Sequence, residues 1–143
     1  MTFESAHHLT TILLRDFDQS PLFIGFHALF SHRLGASAQL CFDALEAGLD
    51  VVQRFPPFRL ELIRCLRELE LIDLAIENLE ALIDELPLWG EARREQIFLE
   101  LEQGAFERAE ALFNEHREKL SSRAMEECSD ALERSRASEK ELH

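Results

Sequence analysis

The sequence predicts an all-α protein, a right-handed stack of antiparallel helical hairpins with about eight helices. Three observations carry this. Apolar residues recur three to four positions apart along most of the chain, and no stretch alternates with the period of two that a strand requires. Ala75 and Ala109 stand about 34 residues apart, the interval of a repeated helix-turn-helix unit. Each lies inside a stripe at helical spacing: Ile72, Ala75, Leu79, Leu82 and Ile83 around the first, and Phe106, Ala109, Leu112 and Phe113 around the second. Pro87 closes the first stripe and Gly104 opens the second. A small residue flanked by large apolar ones lets two helices approach closely, and a proline after it stops the helix.

Taken in order, residues 3 to 17 place Phe3, Ala6, Leu9, Leu13 and Phe17 on one face, so the segment 1–19 is expected to be an amphipathic helix that caps the stack. Ser20 before Pro21 is a helix start, a side-chain acceptor ahead of a residue that needs no N–H partner. That helix runs to about Leu34, Gly35 supplies the left-handed turn, and Ser37 begins a third helix through Ala38, Cys41, Leu45, Leu49 and Val52, ended by Phe55-Pro56-Pro57. These make a first hairpin over 20–55, with Cys41 in the small position. Leu62, Ile63, Leu66 and Leu69, followed by Leu71 to Leu86, make a second over 57–87. Ala92 to Gln103 and Ala105 to Leu120 make a third over 90–120. Ser121 or Ser122 caps a last helix over 121–136 that carries Ala124, Met125, Cys128, Ala131 and Leu132, and the polar, aperiodic residues 137–143 are expected to fray.

Composition narrows the function classes. With 143 residues the chain fits one domain that buries roughly two thirds of its unfolded surface, and 46% hydrophobic residues suffice for a core. A formal charge of −13, from 28 acidic and 15 basic residues, repels phosphate backbones and anionic membranes and argues against nucleic acid as a partner. Cys41, Cys65 and Cys128 are far apart, form no CxxC pair and fall on apolar helical stripes, as reduced core residues do. The N-terminus lacks a basic region followed by a long apolar run, and no run approaches the ~18 apolar residues of a membrane span, so no membrane insertion is expected and the expected location is cytoplasmic.

Metal, cofactor and catalytic readings find little to hold. His7 and His8 diverge on a helix, and the five-residue step from His27 to His32 misses the one-turn facing arrangement, so no metal site is expected. Glu77, Glu80, Asp84 and Glu85 lie opposite an apolar stripe, as a solvated helix face does. No glycine-rich phosphate loop, nucleophile elbow or Cys/His catalytic signature is visible, so no cofactor and no enzymatic activity are expected.

Phenylalanine is unevenly placed: eight of eleven (Phe3, Phe17, Phe23, Phe26, Phe30, Phe42, Phe55 and Phe58) lie in the first 58 residues. Leu22 to Phe30 is apolar nearly all round and needs cover on every side. Two readings stay open, a helix simply buried by its neighbours and an exposed apolar groove.

Gly104-Ala105-Phe106-Glu107-Arg108-Ala109 resembles the Gly-x-aromatic-x-x-Ala start of the second helix of a tetratricopeptide (TPR) repeat, and Ala75 with Pro87 resembles its Ala-to-Pro interval. Arg59 and Arg93 stand where the first TPR helix would carry a large aromatic. In TPR proteins the first helix of each repeat lines the concave surface. The resemblance therefore implies partner-binding residues Phe23, Phe26, Phe30 and Arg33 in the first repeat, Leu60, Arg64 and Arg67 in the second, and Arg94, Phe98 and Leu101 in the third. The arginines would steer and orient acidic or polar groups of the ligand. Phe26 and Phe30 occupy places where a carboxylate clamp carries Lys and Asn, so such a clamp is not implied. Small acidic TPR proteins with an extra N-terminal helix resemble the cytosolic chaperones of bacterial type III secretion, and Phe55-Pro56-Pro57-Phe58 ahead of Cys65 is similar to the Phe-Pro and Cys features of the translocator-chaperone group. The implied function is holding a secretion-system subunit, a protein or peptide presented as an amphipathic helix or extended segment. The alternative is a TPR scaffold or adaptor that joins folded partners or self-associates as a homo- or heterodimer.

Overall fold

The computed structural model describes residues 2–16 and 20–142, with backbone only for Asp16 and for 140–142. Among the described residues there are nine α-helices and no strand: α1 (Phe3–Asp16), α2 (Pro21–Arg33), α3 (Ala38–Ala47), the single turn α4 (Leu49–Val52), α5 (Pro56–Glu68), α6 (Ile72–Glu85), α7 (Gly90–Glu102), α8 (Phe106–His116) and α9 (Ser122–Leu142). A 3-10 turn, Arg117–Lys119, separates the last two. Helices α3, α6 and α8 begin at Ala38, Ile72 and Phe106, and are thus evenly spaced along the chain.

The same turn ends α2, α5 and α7. Gly35, Glu70 and Gly104 have φ of 103°, 62° and 77°. In each case the next amide reaches back to a carbonyl in the last helical turn, Ala36 to Ser31, Leu71 to Leu66 and Ala105 to Glu100, all at 2.9 Å. This is the closure that a left-handed residue permits after a helix. Glu70 is the member of the three that carries a side chain, and a Cβ in this conformation crowds the following carbonyl. Glu70→Gly is therefore expected to raise stability by about 0.5 to 1 kcal/mol, the relief of that crowding less the greater backbone entropy of glycine. A urea midpoint at or below the parent's would contradict the turn described here.

The chain divides into two compact units, 1–75 and 76–143. In the first, α1 lies on α2, α2 on α3, and α3 on α5. The core is Ala28, Cys41, Leu45, Val52, Phe58 and Cys65, with Phe26, Leu29, Phe42 and Leu62 packed against it. A Cβ on Gly25 would stand 2.8 Å from the Phe58 ring, so the missing side chain lets that fully buried ring reach α2. Phe17 lies outside the described residues. Of the rest of the predicted α1 stripe, Ala6 is buried and Leu13 half-buried, while Phe3 and Leu9 are exposed and Thr10 is buried beside Ala6. Small Ala6 permits close approach, and Thr10 places its hydroxyl 3.1 Å from His27 Nδ1, so the contact runs along that edge of the helix. The helix expected from Ser37 to Val52 breaks at Gly48, where a poor helix former takes φ −110° and ψ 34° and turns the chain into α4.

In the second unit α7 packs on α8, and α9 packs on both. Its core is Ile97, Ala109, Leu112, Phe113, Leu120, Ala124, Cys128 and Leu132. Ala75 and Ala109 are both fully buried. On α6 the residues Leu79, Leu82 and Ile83 are buried and Glu77, Glu80, Asp84 and Glu85 exposed, as the stripe requires. The segment after Arg136, expected to fray, continues as helix to Leu142, since it holds strong helix formers such as Ala137, Glu139 and Lys140 and neither Gly nor Pro. No helix of the described residues is long and apolar enough to cross a membrane.

Candidate functional site

On α5 the residues Phe58, Glu61 and Cys65 share one inward face, at steps of three and four. Glu61 is fully buried and sits at the centre of a polar cluster in the first unit. Its Oε1 lies 2.5 Å from His32 Nδ1, and its Oε2 lies 3.2 Å from Arg64 Nη1 and 3.3 Å from Arg33 Nε. His32 bridges two carboxylates, with Nε2 2.8 Å from Glu68 Oε2. The hydrogen bond to Glu61 raises the His32 pKa to about 9, with Glu68 adding to it and burial opposing it, so the ring is cationic at neutral pH.

Two thiols meet this cluster. Cys65 Sγ lies 3.9 Å from His32 Nδ1, and one ligating atom each from His32, Cys41 and Cys65 all fall within 4.8 Å of one another. The hydrogen bond between the cysteines, aided by the His32 cation and opposed by burial, lowers the Cys41 pKa, while the same bond and burial raise that of Cys65.

The predicted partner-binding residues divide into half-covered rings and groups engaged elsewhere. Phe23, Phe26 and Phe30 are half-buried. Phe26 meets Phe58 edge-on at 4.8 Å and stacks on Phe30 at 5.9 Å, and Phe30 lies 6.3 Å from Phe3 of α1. Phe26 thus packs against the core of the first unit, as the buried reading of this helix expects. Leu60 and Arg64, expected to face a ligand, are instead 3% and 7% exposed, because α5 is covered nearly all round. Arg67 is half-buried. Arg33 and Arg64 hold Glu61, so they are not the free steering groups that the repeat register implied.

In the second unit Arg94 likewise serves its own neighbours. Its Nε lies 2.7 Å from Glu127 Oε2, its Nη1 lies 3.1 Å from Glu95 Oε1, and its guanidinium covers the Phe98 ring at 4.6 Å. Burial pushes the Glu127 carboxyl upward, but the Arg94 hydrogen bond and charge hold it below the usual range. Phe98 and Leu101 are half-buried and line a cleft of about 440 Å³ together with Phe106, Ala131, Glu102, Arg134 and Glu139. This cleft has an apolar floor and a charged rim.

No protein-family model matches the chain, and no curated protein and no solved structure matches it. The site is thus defined by its own geometry. Sequence reasoning missed Glu61 and Glu95, fully buried carboxylates separated by the same interval as Ala75 and Ala109. A signal existed: Phe58, Glu61 and Cys65, like Ala92, Glu95 and Leu99, put a carboxylate inside an otherwise apolar stripe.

A histidine pair makes a pH-dependent contact in the first unit. His7 of α1 stacks on His27 of α2 at 4.5 Å, and burial first, then the charge of His7, lowers the His27 pKa from 6.5. A folded pKa below the unfolded one means that the unfolded chain takes up the proton first. Stability is therefore complete above about pH 6.5 and falls as pH drops toward the folded value. Urea midpoints between about pH 7 and pH 5 should decline, and His27→Gln should flatten the decline; an unchanged slope in that variant would show that His27 is not its source.

Proposed function

We propose that the chain is a protein-binding module of helical hairpins, a cytosolic chaperone of the kind that serves bacterial type III secretion and holds a subunit of the secretion system. The observation that carries this is the cleft between α7, α8 and α9, where Phe98, Leu101 and Phe106 form an apolar floor beneath Glu102, Arg134 and Glu139. Such a surface suits an amphipathic helix, apolar side chains down and polar ones at the rim. The half-exposed Phe26 and Phe30 edges offer a second apolar surface in the first unit. The even spacing of α3, α6 and α8 and the TPR-like residues Gly104 to Ala109 add support. We assign the chain no catalytic step.

A scaffold or adaptor is the second reading, favoured by Leu40 and Leu88, which are 67% and 76% exposed and suit a contact with a folded partner or a second copy. Co-purification from the native cell with mass spectrometry separates the two. A chaperone should carry one aggregation-prone client and behave poorly without it, whereas a scaffold should be monodisperse alone and bind a folded protein. Phe98→Ala with Leu101→Ala, and Phe26→Ala with Phe30→Ala, are compared with Glu77→Ala with Glu80→Ala for client capture beside thermal stability. Loss of capture with a retained fold in the apolar pairs supports the groove; equal collapse of both means that these side chains serve only the core.

A further inference from the structure

We propose that His32, Cys41 and Cys65 form a three-ligand zinc site, its fourth position taken by water, that pins α2, α3 and α5 together. The three ligating atoms come from three helices and already lie within 4.8 Å of one another. The 3.9 Å between Cys65 Sγ and His32 Nδ1 compares with an N···S edge of about 3.6 Å in a tetrahedral site with ordinary Zn–N and Zn–S bonds. Glu61 stands one helical turn before Cys65 on the same face of α5, so its carboxylate lies beside the site.

The surroundings have the character of a ligand shell. Glu68 accepts from His32 Nε2 at 2.8 Å, which fixes the proton on Nε2 and presents the Nδ1 lone pair to a metal. Arg33 and Arg64 hold Oε2 of Glu61, and Oε1, 2.5 Å from Nδ1, accepts the Nδ1 proton that the metal displaces before it passes to water. Two thiolates neutralise Zn2+, and the Glu61 carboxylate beside the site is balanced by the two guanidinium groups that hold it. Binding transfers the two thiol protons and the proton held between His32 and Glu61 to water, so charge and atoms balance. Cys41 also lines a cleft of about 280 Å³ with Ser31, Ala36 and Leu40, a route by which an ion reaches the thiols. Cys128 supplies the contrast: it lies in a core cluster of Ile97, Ala109, Leu112 and other apolar residues, and burial alone dominates its upward shift, to about 11.

The test uses the untagged full chain, purified under reducing conditions, with zinc content read by elemental mass spectrometry and affinity by competition with a chromophoric chelator. About one equivalent of zinc should remain after dialysis, and cobalt in its place should show thiolate charge-transfer and tetrahedral ligand-field bands. Cys41→Ser and Cys65→Ser should each lose retained metal, and Cys128→Ser should keep it. Glu68→Gln alters a half-exposed carboxylate outside the ligand set and should weaken zinc binding by about 10- to 100-fold while keeping the helical circular dichroism, which covers the case in which the cysteine variants fail to fold. Reduced, folded parent that retains no zinc and gives no thiolate–cobalt band overturns the proposal. So does equal binding by Glu68→Gln and by a folded Cys41→Ser, Cys65→Ser double variant, since surface histidines and carboxylates would then hold the metal.

Discussion

Glu61→Ala is expected to destabilise the first unit by about 3 to 5 kcal/mol, a large share of a typical domain stability. The carboxylate is fully buried and touches the His32 imidazolium, Arg33 and Arg64. Its removal strands positive charge where water is scarce, and Arg64, 7% exposed, cannot move to solvent without opening α5. The loss measures the stranding of the cations, not the net worth of the cluster, because exchanging a whole buried ionic network for apolar side chains is often close to neutral. Glu61→Gln keeps hydrogen-bonding atoms and loses only charge, so it should fall between parent and alanine. Glu95→Ala should cost less than Glu61→Ala, since Arg94 retains Glu127. A Glu61→Ala loss of about 1 kcal/mol or less in urea unfolding would mean that water reaches the cluster and that Glu61 is not its keystone.

What could be read from the sequence was whatever depends on neighbours along the chain. Ala75, Ala109, Pro87 and Gly104 gave the hairpin interval because small residues and helix breakers act locally, and the helices starting at Ala38, Ile72 and Phe106 keep that step. Contacts across helices were not legible. Cys41 and Cys65 lie on different helices with α4 between them in the chain, and their meeting with His32 depends on which faces of α2, α3 and α5 turn toward one another. Spacing correctly separated His27 from His32, yet it could not place His27 against α1 and His32 against Glu61. The partner-facing register failed at α5 for a related reason. Phe58, Leu60, Glu61, Ile63, Arg64, Cys65 and Leu66 are all buried, so that helix leaves no wide stripe for a ligand. At α7 Phe98 and Leu101 line a cleft, while Arg94 of the same register is held by Glu95 and Glu127.

Gly90→Ala is expected to lower stability by about 3 kcal/mol, the other large effect. Gly90 opens α7, and a Cβ there would stand 2.1 Å from the Lys119 carbonyl oxygen, 2.9 Å from its carbon and 3.3 Å from Leu120 Cα. These are backbone atoms at the end of the 3-10 turn, so the clash is relieved only by moving the start of α7 away from the chain that leads into α9. Helix propensity pulls the other way, favouring alanine over glycine by about 1 kcal/mol, and is too small to compensate. Gly104→Ala is the informative control: nothing lies within 4 Å of its Cβ position, and its φ of 77° exacts only the left-handed backbone cost, about 1 to 2 kcal/mol. Urea unfolding should therefore rank Gly90→Ala below Gly104→Ala, Gly104→Ala below the parent, and Glu70→Gly above it. Inversion of the two alanine variants would show that α7 does not approach Lys119 closely enough to exclude a methyl group, and that Gly90 serves the chain through its flexibility alone.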